Sequence, residues 1–169
     1  MALASDLLEQ AKFLSLREVG RGRPRQASLR RAASTAYYAV FHLLAAEAAF
    51  QACPGSPRGL RERVQRALAH ETMKQAANAF QAANLPRHVA SVARSPVAQE
   101  IVAIAASFVL LQEARHKADY DLTEQFDRTR VQALVNEAEQ VFRLWGQIRD
   151  TDDARVFLAA LMFWKLWSR

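Results

Sequence analysis

The sequence predicts an all-α protein built as a helical bundle, and three observations predict it. Half of the 169 residues are hydrophobic, at 51%, with alanine and leucine prominent over the β-branched types. Five glycines and five prolines leave little material for a turn-rich β architecture. Apolar residues also recur at helical spacing in one segment after another, and no stretch alternates as a strand would. The length predicts one domain over residues 1–169. A chain near this size buries roughly 70% of its unfolded surface, enough for a substantial core.

The elements follow in order. Leu3, Leu7, Leu8, Ala11, Leu14 and Val19 mark a helix over 3–19, which Gly20 stops. GRGRPRQ (20–26) is a basic connector; its Arg-Gly-Arg-Pro is similar to the core of AT-hook minor-groove binders, and a solvated linker is the other reading. A second helix spans 27–51, with an apolar stripe through Ala33, Tyr37, Val40, Phe41, Leu44 and Ala48, and Pro54-Gly55 breaks it. Ser56-Pro57 reads as an N-cap and a first-turn proline for a third helix over 57–83. After the loop 84–96, Ser95-Pro96 repeats that signal for a fourth helix over 97–118, with Val97, Ile101, Ile104, Ala105, Phe108 and Leu111 inward. Residues 119–127 form the end of that helix and a turn, and Asp127 caps a fifth helix over 128–149 that buries Val131, Leu134, Val135, Ala138, Val141, Phe142 and Trp145. Thr151, Asp152 and Asp153 open a short final helix within 150–169. That helix is apolar almost all round, so it packs on the bundle or forms an oligomer contact.

Charge and cysteine usage set the setting. Residues 1–96 carry a net charge of +8 and residues 97–169 a net of −2, so the first part holds all of the positive excess, nearly all of it arginine. Arginine's planar fork suits phosphate, and such a surface attracts nucleic acid or nucleotides through a screened, sequence-blind field. A solvated arginine-rich face is the other reading of the same charge. The lone Cys53 excludes an internal disulfide framework and a cysteine-rich zinc site. No signal pattern opens the chain and no apolar run approaches the ~20 residues of a membrane span, which predicts a cytoplasmic protein with no membrane contact.

Two segments carry a resemblance. ASLRRAASTAYYAVFHLLAAEA (27–48), with its paired tyrosines and Ala-x-Phe-His, resembles the second-helix signature of the HEPN family, the higher eukaryote and prokaryote nucleotide-binding domains. LLQEARHKADYDL (110–122) resembles the Arg-His-x-x-Asp-Tyr-Asp stretch of a late HEPN helix, and RVQRALAHE (63–71) is similar to a basic helix found in part of the family. The match covers residues 5–149. It implies an up-and-down bundle of four to five long helices plus a short C-terminal helix, paired as a homodimer. It also implies a metal-independent endoribonuclease of a toxin–antitoxin or phage-defence system, acting at the dimer cleft without metal or cofactor. The alternative is a non-catalytic HEPN domain that binds RNA, nucleotide or a partner nucleotidyltransferase.

The chemistry explains the residue types. RNA is cut when its 2′-hydroxyl attacks its own phosphodiester. A histidine moves the proton, and an arginine stabilises the charge that builds at phosphorus. Arg115, His116, Asp119 and Tyr120 are the candidate catalytic residues. Catalytic members place a histidine where this sequence has Asp119, four residues after Arg115, so Arg115 and Asp119 are positioned to pair across one helical turn. Two readings stay open: a helix-end salt bridge beside a buried tyrosine, or a modified cleavage centre with His116 as base. Arg63, Arg66, His70, Arg30 and Arg31 are the candidate phosphate-binding residues; Arg63, Arg66 and His70 read either as a basic helix face with an ordinary histidine or as a group converging on Arg115 and His116. Tyr37 reads as core. Ser34, Tyr38 and His42 form a polar seam at four-residue steps, a structural network or a support for the Arg115–Asp119 segment.

Overall fold

The computed structural model describes residues 2–16, 25–82, 85–93 and 96–167. The described residues form an all-α bundle of eight helices with no strand. They are α1 (Ala2–Leu16), α2 (Gln26–Ala52), α3 (Arg58–Ala67), α4 (His70–Gln81), α5 (Arg87–Ala90), α6 (Gln99–Tyr120), α7 (Arg128–Ile148) and α8 (Asp152–Trp167). Among the described residues no helix is long and apolar enough to cross a membrane. Val19, Gly20, the Arg-Gly-Arg-Pro stretch and Ser95 lie outside the described residues.

α2 is the axis of the fold. It touches α1, α3, α6, α7 and α8, and it is buried on nearly every side rather than along one stripe. The physical reason is its alanines. Ala32, Ala33, Ala36, Ala39, Ala45, Ala48 and Ala49 have no bulk, so neighbouring helices approach from several directions at once. α6 and α7 bury the faces that periodicity predicts, apart from the half-buried Phe142; α6 begins at Gln99, so the half-buried Val97 precedes it. In α1 the buried residues are Ala4, Leu8, Ala11 and Ser15, while Leu3 faces outward. α8 lies mainly against α4 and buries Ala154, Phe157, Leu158, Ala160 and Leu161 into the shared core, with Phe80 of α4 edge-on to Phe157.

The helix ends show which local signals act. Asp127 caps α7 by accepting from the Arg130 amide at 2.8 Å, and the Thr151 hydroxyl accepts from the Ala154 amide at 3.2 Å as α8 begins. Ser56 does not cap α3; Pro57 stands at that position with no side-chain cap, and Gly55 turns the chain before it at a φ of +71°. The helix expected over 57–83 is two helices. Leu68 and Ala69 are extended, with ψ of 127° and 131°, although neither residue is a helix breaker. Tertiary packing makes the break: Leu68 packs against the core, and His70 turns inward onto Tyr37 and Phe41.

Candidate functional site

The second half of α6 lies against the middle of α2, and the polar seam of α2 meets it there. Tyr38 accepts a hydrogen bond from Nη2 of Arg115 at 2.8 Å. Ser34 donates to Oδ1 of Asp119, whose other oxygen lies 2.8 Å from Nε of Arg115. The Nε–H is not aimed at that oxygen, so the pair is held by charge rather than by a hydrogen bond. The guanidinium sits 5.4 Å from the ring centres of both Tyr38 and Tyr120. These partners raise the pKa of Arg115 against the opposing cost of its burial, so it is a permanent cation. His42 completes the seam through ring contacts with Tyr38 and Phe41, and burial lowers its pKa.

Arg115 is fixed but not used up. Its side chain keeps 18% exposure, and Nη1 has no partner among the described residues. It lines a cavity of about 340 Å³ with Glu71 and Lys74 of α4 and with Gln112, Glu113, His116 and Lys117 of α6. Lys74 and Glu113 pair across this cavity at 3.2 Å. His116 is exposed at its rim, with the Tyr120 ring 5.2 Å away. Tyr120 is itself 63% exposed, so the salt bridge at this helix end forms without the buried tyrosine expected beside it.

His70 stands behind the cavity wall. Its backbone carbonyl accepts from Gln112 at 3.3 Å, and its Nδ1 lies 2.6 Å from the Tyr37 hydroxyl. Tyr37 is fully buried, and burial raises its pKa so far that the phenol keeps its proton. Burial and the nearby Arg115 lower the pKa of His70, so the ring is neutral at physiological pH. A neutral ring beside a protonated phenol takes the O–H at Nδ1 and carries its own proton at Nε2. In that tautomer His70 is a donor and a packing element, not a base.

The expected cationic convergence is corrected in three places. Arg63 and Arg66 lie exposed on α3, which packs mainly on α2, and neither is joined to Arg115 or His116 by a hydrogen bond, ion pair or ring contact among the described residues. The break at Leu68–Ala69 also removes the helical register that placed them on one face with His70. Arg30 is not free for phosphate. Its guanidinium donates to the carbonyls of Ala118 at 2.9 Å, Asp121 at 2.8 Å and Glu124 at 2.5 Å, closing the carboxyl end of α6. Arg31, one residue along, faces solvent.

The role of Arg30, the clamp made by Gln26 and five cavity residues, Glu71, Lys74, Gln112, Glu113 and Lys117, escape a reading of motifs alone. Arg30, Ser34, Tyr38 and His42 form one series at four-residue steps, so extending the seam backward separates Arg30 from Arg31. Gln26 clamps Phe126 by donating to its carbonyl at 2.6 Å and accepting from its amide at 3.0 Å, and no local pattern signals that. Gln112 and Glu113 lie one turn before His116 and Lys117, while Lys74 arrives from α4 through tertiary packing alone. Among the described residues no group of three or more His, Cys, Asp or Glu side chains is placed to hold a metal ion. Compared with family models, with curated proteins and with solved structures, the chain matches none.

Proposed function

We propose that this protein is a HEPN-like domain that binds RNA or nucleotide phosphate in the cavity beside α6. One observation carries the reading. Arg115 is held in a single orientation by Tyr38 and Asp119, yet presents an uncommitted amino group beside Lys74, Lys117 and His116. A guanidinium already ordered loses little freedom when phosphate arrives, which favours binding. Glu71 and Glu113 offset part of the positive charge, so affinity is salt-sensitive and modest. A homodimer, a nucleotidyltransferase-type partner and a cytoplasmic setting belong to this reading through the resemblance.

The second reading is a metal-independent endoribonuclease of a toxin–antitoxin or phage-defence system, working at a dimer cleft. The exposure of His116 next to Arg115 favours it, because an accessible imidazole beside a fixed cation supplies both parts of 2′-hydroxyl attack. Asp119 lowers the net charge offered to a transition state and favours binding over cleavage. Incubation of the purified protein with total RNA in EDTA, beside Arg115→Gln, His116→Ala and His70→Ala, decides between them. Retention without cleavage, lost in Arg115→Gln, supports binding. Cleavage lost in His116→Ala supports the nuclease. Retention and cleavage that ignore Arg115 overturn both.

A further inference from the structure

The helix that lines the cavity, α6, leads to an exposed aromatic ring on a fixed base. Tyr120 ends α6, one helical turn beyond His116 and on the same face, an axial step of about 6 Å. It is 63% exposed, and Leu122 beside it is 87% exposed. Aromatic side chains at helix ends are ordinarily free to move, yet this end is tied down on several sides. Arg30 holds the carbonyls of Ala118, Asp121 and Glu124. The Asp121 carboxylate accepts from the Thr123 amide at 2.9 Å and hydroxyl at 2.7 Å, and these bonds lower its pKa, so it stays ionised. Gln26 anchors Phe126 a few residues on. Tyr120 also contacts its neighbours, with the Arg115 guanidinium and the tilted His116 ring both within 5.4 Å of its centre.

We propose that Tyr120 is a stacking platform for an unpaired base, and that the ligand of the cavity is therefore single-stranded RNA rather than duplex. This rests on the phosphate-binding reading of the cavity. A cationic pocket and a rigid exposed ring one step apart are the two parts from which single-strand sites are built. One nucleotide spans both: its phosphate meets Arg115 and Lys117 while its base lies on the outer face of Tyr120. A base inside a duplex is already stacked and cannot reach the ring.

The test uses fluorescence anisotropy with labelled 2′-O-methyl oligouridylate, which cannot be cut by 2′-attack, and a labelled abasic strand of equal length. Tyr120→Leu weakens oligouridylate binding roughly tenfold and leaves the abasic strand unchanged, while Tyr120→Phe binds both like the parent. Arg115→Gln weakens both strands. If Tyr120→Leu weakens neither strand, or both equally, while Arg115→Gln still weakens both, the platform is refuted and the phosphate site stands. Failure of the parent protein to bind either strand overturns the platform and the phosphate site together. Tighter binding of an RNA duplex than of the single strand also refutes the platform.

Discussion

The carboxyl end of α6 and the helix α3 are both rich in cations, and they are built in opposite ways. At the end of α6 both arginines are bound to the body of the protein: Arg115 by Tyr38 and Asp119, Arg30 by three carbonyls. α3 has no buried residue at all; Arg58 pairs with the half-exposed Glu62, and Arg61 lies over the exposed Phe50 ring. Arg63 and Arg66 are exposed and make no hydrogen bond, ion pair or ring contact among the described residues. The difference shows that arginine count and arginine role are separate quantities. A guanidinium that replaces backbone hydrogen bonds is structural, one held with an edge to spare keeps donors free, and one in open water adds only to the field.

Three changes break or sharpen this contrast. The largest effect belongs to Arg30→Met, which keeps an apolar stem but leaves three carbonyls of the α6 terminus to water. Charge-assisted hydrogen bonds of this kind contribute about 1.5–3 kcal/mol each before water compensates, so a net loss of about 2–3 kcal/mol is expected in urea unfolding. A loss below 0.5 kcal/mol would place Arg30 with the solvated arginines.

The middle effect is a pH dependence. His70 has a lowered pKa in the folded protein, so the unfolded chain binds more protons and stability rises with pH. Its contribution is complete above the ordinary histidine value of about 6.5 and is lost as pH falls through the lowered folded value. His70→Gln retains an acceptor for Tyr37 and flattens the acid side of the stability profile, leaving the part due to His42. Parallel profiles for the two proteins would count against a neutral His70.

The smallest effect is Arg63→Gln combined with Arg66→Gln. Thermal stability moves by no more than about 0.5 kcal/mol, because neither side chain has a partner to lose. The same pair lowers the salt dependence of RNA retention only if α3 lies along the bound strand.

The bundle was legible because its signals are local. Asp127 and Thr151 announce helix starts within three residues of the amides they cap, and the faces of α6 and α7 repeat with the helical period. The break at Leu68–Ala69 was not legible, since its cause is the docking of Leu68 and His70 against helices distant in sequence. The candidate site divides along the same line. The pairing of Arg115 with Asp119 follows from their four-residue spacing, whereas the role of Arg30 depends on carbonyls about ninety positions away. Arg30 and Arg31 are identical as letters, and a rotation of about 100° on one helix gives them different occupations.

That long-range closure has a consequence for how the molecule assembles. α6 is followed by neither glycine nor proline, so its stopping point is written in α2, 88 positions earlier. Its last turn takes its final length only when the two helices dock, and separating them releases that turn together with the ring it carries. Folding of the α2–α6 pair and completion of the Tyr120 surface are thus one cooperative event, and a partly unfolded chain does not display the surface ahead of the fold.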